Sequence, residues 1–249
     1  MGPDVTCRRV GRRWVLANAA RAGLAIAVLG PACGTDGQPE GDATSTDAGS
    51  DPGGSLTWHR ADLGIVSAYV LVRAGEACVV DTGTAGSADG IEAVLGTAGI
   101  GWGDVGTVIL THRHADHVGS VDAVLDRAGD ATVHAGADDV AAVPVDDVRP
   151  LADGDRVFDL TVVATPGHTP GHVSVHDPAT GLLVAGDALN GTDGSDVRGP
   201  NPDFSSDMDT ARASVGVLAG LDVTTVLFGH GEPYEGDDAA DRIAALAGG

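Results

Sequence analysis

The sequence predicts an α/β fold, an αββα sandwich in which two mixed β-sheets face each other with helices on their outer sides. Strand-like apolar runs are followed by helix-period runs in both halves of the chain, as expected for sheets layered against helices. With 249 residues, 43% of them hydrophobic and 3% aromatic, the chain can fill a sizeable core with Val, Leu, Ile and Ala. In addition, four of the apolar runs end in His or Asp, which places chemistry at strand ends.

Residues 1–33 read as an export signal. Arg8, Arg9, Arg12 and Arg13 precede an apolar segment over 22–29, and the uncharged stretch around it is too short to span a bilayer as a helix. Residues 11–16 (Gly-Arg-Arg-Trp-Val-Leu) resemble a twin-arginine export motif, with Val where Phe is usual. Residues 29–34 resemble a bacterial lipoprotein processing site at Cys33, with Gly30 where that family prefers Leu. Residues 34–55 contain no Val, Ile, Leu, Met or aromatic side chain, so they are expected to form a disordered tether. Together these features predict an exported protein, either secreted or held at the cell envelope, with membrane attachment only through a lipidated Cys33.

The net charge is −22, and the chain has no Lys. Removing residues 1–32 takes away five Arg and one Asp, leaving 9 Arg against 35 acidic residues, a net −26. Such a surface repels phosphate backbones, so no nucleic-acid partner is expected and a small-molecule substrate is. Beyond Cys7 and Cys33, Cys78 is alone in the body of the chain, which rules out a disulfide framework there and any Cys-x-x-Cys metal site. Its apolar neighbours Ala77, Val79 and Val80 predict a buried structural thiol.

The folded domain is expected to begin near Leu56 and to run to residue 249. Residues 65–72 alternate and cluster β-branched side chains, and 77–80 follow a turn at Gly75 and Glu76, predicting a two-stranded hairpin. It ends in Asp81-Thr82-Gly83, a strand-to-loop junction. Ile91, Val94, Leu95 and Ala98 recur at helical spacing, so 87–98 is predicted helical with Ser87 as N-cap. Residues 107–110 read as a buried strand and 118–128 as a helix with Val118, Val121, Val124 and Leu125 on one face. A short strand over 131–134 and a short helix over 138–143 follow. Strands are predicted over 156–159, 160–165, 173–175 and 182–185, with turns at Pro166-Gly167 and 177–181. Residues 210–221 read as a helix, 224–228 as a strand and 237–247 as a closing helix.

The densest chemistry lies in residues 111–120, where His112, His114, Asp116 and His117 fall within six positions after Val108, Ile109 and Leu110. Imidazole and carboxylate are the usual ligands of zinc and its neighbours. Three further apolar strands end beside glycine in His168, Asp187 and His230, and glycine lets the backbone turn sharply there. The pattern His-x-His-x-Asp-His, then Gly-His-Thr, Gly-Asp and Gly-His, resembles that of the metallo-β-lactamase-fold hydrolases over about residues 60–247.

By that resemblance His112, His114 and His168 would hold one metal, Asp116, His117 and His230 a second, and Asp187 would bridge both. The divalent ions would be zinc, with iron or manganese as the other candidates. His168 takes the ligand place because it stands in Pro-Gly-His-Thr; His172 would act behind the ligands. Asp81 resembles a buried Asp that orients a metal-binding loop. Two metals about 3.5–4 Å apart share a water and make it hydroxide near neutral pH. That hydroxide would attack an ester, thioester, lactone or amide carbonyl, with Asp116 also accepting or orienting its proton.

The bridging Asp187 points toward the glyoxalase II and lactonase-like branch, because true β-lactamases of this fold generally carry Cys or Ser near that place. Within the branch the match is incomplete: no Arg- or Lys-rich region follows Asp187, and Ala188-Leu189-Asn190 stands where quorum-type lactonases often carry a Tyr. Tyr69 and Tyr234 read as packing residues. Residues 191–209, with Phe204 and Met208 as their large apolar side chains, are expected to form a loop over the site. The alternatives are a mononuclear iron persulfide dioxygenase-like oxidoreductase and a non-catalytic metal-binding protein.

Overall fold

The structure, a computed structural model, describes residues 54–248. The expected export signal over 1–33, the processing site at Cys33 and all but the last two residues of the tether over 34–55 lie outside the described residues.

The first sheet has the order β1 (Thr57–Asp62), β2 (Ser67–Arg73), β3 (Glu76–Val80), β4 (Val105–Leu110), β5 (Thr132–Gly136) and β6 (Arg149–Leu151). Its first two pairings are antiparallel and the remaining three parallel. The second sheet uses β7 (Arg156–Val157), β8 (Leu160–Ala164), β9 (Val173–Asp177), β10 (Leu182–Gly186), β13 (Thr225–Phe228) and β14 (Tyr234–Glu235), in the order β14-β13-β10-β9-β8-β7. Only its β10–β13 pairing is parallel. Both sheets are therefore mixed, as predicted. A two-stranded ladder, β11 (Asn190–Gly191) with β12 (Val197–Arg198), stands apart from both.

Strand alternation builds the layers. On β2, β3 and β4, Leu71, Cys78, Val80 and Ile109 point between the sheets, where they meet Val162, Val175, Val184 and Leu227 of the second sheet. Val70, Val79, Val108 and Leu110 point the other way, onto α1 (Ala88–Thr97) and α3 (Val121–Ala128). On the far side Leu183, Val226 and Phe228 pack under α4 (Met208–Leu218) and α5 (Ala239–Ala247). A one-residue slip of any central strand would turn its aliphatic set to the wrong layer, so the period of two fixes the register. Each fully buried Leu or Ile contributes about 1.5–3 kcal/mol by leaving water. Cys78 is wholly buried, and burial pushes its thiol far up, consistent with a structural thiol.

Several element boundaries differ from the sequence expectation, each for a local reason. Ile65 lies outside β2, at the tip of a hairpin whose outer strand, β1, carries too weak an alternation to be read. The helix expected over 118–128 is two pieces, α2 (Ala115–Val118) and α3, broken at Gly119-Ser120. Gly119 packs its Cα against the 84–85 backbone, where a Cβ would come within 2.6 Å of the Ala85 nitrogen. The predicted strand over 156–159 stops at Val157 because Phe158 and Asp159 both take positive φ (53° and 58°) in a tight hairpin turn. The helix expected over 138–143 is a 3₁₀ turn at Val140–Ala142. Ser87 occupies the N-cap position of α1, but its hydroxyl makes no capping bond. Instead α4 starts two residues early because the Asp207 carboxylate accepts the Asp209 and Thr210 amides.

Candidate metal centre

Five strand ends meet at one edge of the sandwich. Beyond β4 comes the 111–120 segment, beyond β8 the turn carrying His168, beyond β10 Asp187, beyond β13 His230, and beyond β3 Asp81. Strand ends are where α/β folds can present loop side chains without disturbing the core.

The seven residues singled out as ligands come together. His112 Nε2, His114 Nδ1 and His168 Nε2 form a triangle with edges of 3.0, 2.9 and 3.2 Å. Asp116, His117 and His230 form a second group, with His230 Nε2 3.4 Å and His117 Nε2 3.8 Å from Asp116 Oδ2. Asp187 lies between them. Its Oδ2 is 3.4 Å from His168 Nε2 and 3.3 Å from His230 Nε2, and its Oδ1 is 3.4 Å from His117 Nε2. Gly229 permits this approach, since a Cβ there would meet the Asp187 carboxylate and stand 2.6 Å from His117 Cε1.

The outer hydrogen bonds decide where the lone pairs point. Thr111 donates its hydroxyl to Asp81 Oδ2 at 2.8 Å, so toward His112 Nδ1, at 3.1 Å, it must accept. His117 Nδ1 donates to the same Asp81 oxygen at 2.8 Å. Ser205 donates to the Asn201 carbonyl at 2.7 Å and so accepts from His168 Nδ1 at 3.4 Å. His230 Nδ1 donates to the Ile65 carbonyl at 2.5 Å. In all four rings Nδ1 carries a proton, which turns Nε2 inward as the atom able to bind an ion; on His230 that Nε2 also carries a proton, donated toward Asp116 and Asp187.

Several of the inward atoms have no protein partner that satisfies them. His117 Nε2 and Asp187 Oδ1 are both buried without a hydrogen bond, and three imidazole lone pairs face one another about the first triangle. Buried polar atoms left in this way are costly. A divalent cation in each group would satisfy them, and an imidazole and carboxylate set is what zinc, iron or manganese takes. The donor set fits two such ions sharing Asp187.

Charge is divided unevenly between the groups. Burial pushes His168 down to about 4 and His112 well below the usual imidazole range, and burial also lowers His114. Hydrogen bonds to Asp116 and Asp187 hold His230 up at about 10. Burial alone would lower His117, but the Asp81, Asp187 and Asp116 carboxylates together outweigh it and its pKa is raised. Burial would raise Asp187, yet His230 and His117 hold it well below the carboxylate range, and His230 does the same for Asp116.

Behind the donors, Asp81 takes a left-handed backbone (φ 61°) and accepts the Thr111 amide at 2.8 Å besides the two bonds above, tying the 111–120 segment to β3. His172 does not point into the cluster. Its Nε2 accepts the Asp187 amide at 3.0 Å and its Nδ1 donates to Thr165 at 2.8 Å. Tyr69 donates to the Phe228 carbonyl at 2.8 Å from a buried position, a packing role.

One residue escaped the sequence reading. Asp139, wholly buried, accepts from the Arg113 amide (3.1 Å) and guanidinium (2.9 Å), from Thr169 (2.5 Å) and from the Gly171 amide (3.1 Å). It therefore clamps the segment carrying His112 and His114 to the turn carrying His168. Nothing in the run Ala137-Asp138-Asp139-Val140 distinguishes it from the many surface Asp residues of this chain.

The model of the metallo-beta-lactamase superfamily matches residues 61–230, which takes in all of these side chains. The chain belongs to that superfamily. Among curated members it is similar to the probable metallo-hydrolase YflN of Bacillus subtilis, at 29% identity over 56% of this chain and 69% of that protein. It is also similar to the hydroxyacylglutathione hydrolase of Cereibacter sphaeroides, at 42% identity over 33% of each chain, so that likeness spans only a third of the enzyme. Among solved structures, the metallo-beta-lactamase family protein TTHA1429 from Thermus thermophilus shares the fold at TM-score 0.63 and 24% identity, over 78% of each chain. TTHA1623, solved in a di-iron-bound form, gives TM-score 0.57 at 29% identity over 70% of this chain and 92% of its own. In this superfamily member an αββα sandwich thus brings seven potential ligands to one edge, where five of them, His114, Asp116, His168, Asp187 and His230, line a cavity of about 440 Å³.

Proposed function

We propose that this chain is a metal-dependent hydrolase that cleaves an ester, thioester, lactone or amide bond of a small molecule, using two divalent ions, most simply zinc. The observation that carries the reading is Asp187 set between two complete donor groups, with Oδ2 toward His168 and His230 and Oδ1 toward His117.

His112, His114 and His168 would hold the first ion, Asp116, His117 and His230 the second, and Asp187 would reach both. When bound, the ions would supply a Lewis acid for a carbonyl oxygen and make water acidic enough to react near neutral pH. Asp116 lines the cavity, and its hydrogen bond with His230 keeps it ionised. It accepts and orients the proton that water gives up as it adds to the carbonyl carbon, after which the bond to the leaving group breaks. Asp81, His172 and Asp139 act from behind by fixing His117, Asp187 and the two ligand-bearing segments. Cys78 takes no part, being sealed in the core.

The net charge of −22 supports a small-molecule substrate over a nucleic acid. The mononuclear oxygenase reading is disfavoured because Asp116, His117 and His230 form a second group beside the first. The di-iron form of the relative TTHA1623 makes iron the leading alternative metal within the hydrolase reading. We further propose that the protein acts after export, either secreted or anchored at the cell envelope through Cys33.

The test is a hydrolysis screen of the zinc-loaded chain on p-nitrophenyl esters, lactones, thioesters and a chromogenic cephalosporin, with His112→Ala as control. At least one class is turned over by the parent chain and lost in the variant. Equal activity in His112→Ala would place the chemistry elsewhere, and sulfite formation from a persulfide with one iron per chain would replace hydrolysis by oxygenation.

A further inference from the structure

We propose that the cavity selects a neutral substrate with an apolar acyl group, gripped between Ile65 and Phe204, and disfavours a substrate whose acyl end carries an anion. The inference takes the bond cleaved from the hydrolase reading above, and the identity of the grip from the cavity itself.

Ile65 and Phe204 are 72% and 67% exposed, and both line the cavity that holds His114, Asp116, His168 and His230. Single exposed apolar side chains are ordinary, but two large ones at the mouth of one cavity form a surface that a ligand can cover. Both are mounted on the donor groups themselves. The Ile65 carbonyl accepts His230 Nδ1–H at 2.5 Å, and the hairpin tip is closed by Leu63 N–H to the Val66 carbonyl at 3.0 Å. Phe204 sits in a turn whose amide reaches the Asn201 carbonyl at 3.3 Å, and its neighbour Ser205 accepts from His168 Nδ1. The next residue, Ser206, donates its amide to the His168 carbonyl at 3.0 Å. One apolar side chain is thus tied to each metal group, and their separation from the reacting carbonyl is set by the ligands.

Outside the donor groups, no basic side chain among the described residues lines this mouth. The chain has no Lys, and among the described residues no Arg lines the cavity. Arg113, inside the histidine motif, is turned to Asp139 at 2.9 Å, and Arg60, on the strand before Ile65, pairs with Glu232. Arg198 lies across the β11–β12 ladder from Asn190 but is exposed and outside the lining. Apart from the donors His114, Asp116, His168, Asp187 and His230, the polar lining is amide, Asn190 and Asn201. A carboxylate at the far end of an acyl group held between Ile65 and Phe204, turned away from the donor groups and the ions they would hold, would lose water without gaining a Lys or Arg partner, inside the field of a strongly acidic protein.

The experiment compares p-nitrophenyl hexanoate, p-nitrophenyl acetate and the p-nitrophenyl monoester of adipic acid, which matches hexanoate in length but ends in a carboxylate. Each kcat/KM on the zinc-loaded full chain is divided by the rate constant of the same ester with hydroxide. Hexanoate exceeds both acetate and the adipate monoester by about tenfold, the gain expected when part of four methylenes is covered. In Phe204→Ala and in Ile65→Ala the hexanoate-to-acetate ratio falls at least threefold, through KM. Arg198→Ala leaves the hexanoate-to-adipate ratio within twofold. A second readout needs no turnover: 2-octanone and 2-butanone are titrated by ligand-observed NMR, and octanone binds about tenfold tighter, a preference that both alanine variants reduce. Esters cleaved without chain-length preference, or an adipate monoester as good as hexanoate, would overturn the grip and leave the hydrolase intact. Inert esters with the ketone preference intact and lost in the variants would uphold the grip and strike simple esters from the hydrolase reading. Inert esters with no ketone preference would overturn the grip and strike simple esters as well.

Discussion

His172 Nε2 accepts the backbone N–H of Asp187 at 3.0 Å. The bond fixes the start of the segment that places a carboxylate between two donor groups. His172 can do this because burial pushes its pKa down to about 3, so it is neutral and keeps a lone pair for the amide, while Thr165 takes the proton on Nδ1.

Replacing it follows directly. His172→Ala removes the acceptor and leaves the Asp187 amide buried, so Asp187 loses its fixed direction toward both groups. Zinc affinity falls by about 10–100-fold, the usual loss when a group orienting a ligand is removed. Calorimetric titration of metal-free protein reads this, and unchanged affinity would reduce His172 to a packing residue.

The uneven charge of the two groups predicts different pH dependences for the two metals. Ligation needs an imidazole lone pair. His112, His114 and His168 are pushed down by burial and are neutral at pH 7, so the first ion binds without displacing a proton and its affinity is flat there. Hydrogen bonds to two carboxylates hold His230 at about 10, so the second ion must displace its proton at any lower pH. Between pH 6 and 9 the weaker of two zinc affinities rises at least about tenfold per pH unit, with at least one proton released in unbuffered titration. Two pH-independent affinities would contradict this.

How far the site was legible depended on what each residue does in the backbone. His112, His114, Asp116, His117, His168, Asp187 and His230 were legible because each follows an apolar run, and such runs end where the sandwich has its edge. The layers were legible because Leu71, Cys78 and Val80 alternate with Val70 and Val79. β1 and β14 were not, since at a sheet edge only partial burial is enforced and Trp58, His59 and Arg60 carry no clean period. The break at Gly119 depended on an approach by residues 84–85, far away in sequence. Asp139 was hidden for the same reason: its partners Arg113, Thr169 and Gly171 are 26 to 32 residues away.

Asp139 accordingly gives a prediction that the sequence alone would not. Asp139→Ala strips four donors of their acceptor, one of them a guanidinium that is one-third exposed. Stability falls by about 2–3 kcal/mol, read by urea unfolding of the metal-free protein. Affinity for the first zinc falls as well, because the His112–His114 segment is no longer held to the His168 turn. Loss of stability with zinc affinity intact would mean that Asp139 braces the fold and not the ligands.

Zinc titration of the metal-free chain, followed by ester hydrolysis, tests the shared-carboxylate centre most directly. Activity rises until two equivalents are bound and then levels, while Asp187→Ala binds the second equivalent at least tenfold more weakly and loses activity with it. A plateau at one equivalent, or full activity in Asp187→Ala, would contradict a centre in which Asp187 serves two metals.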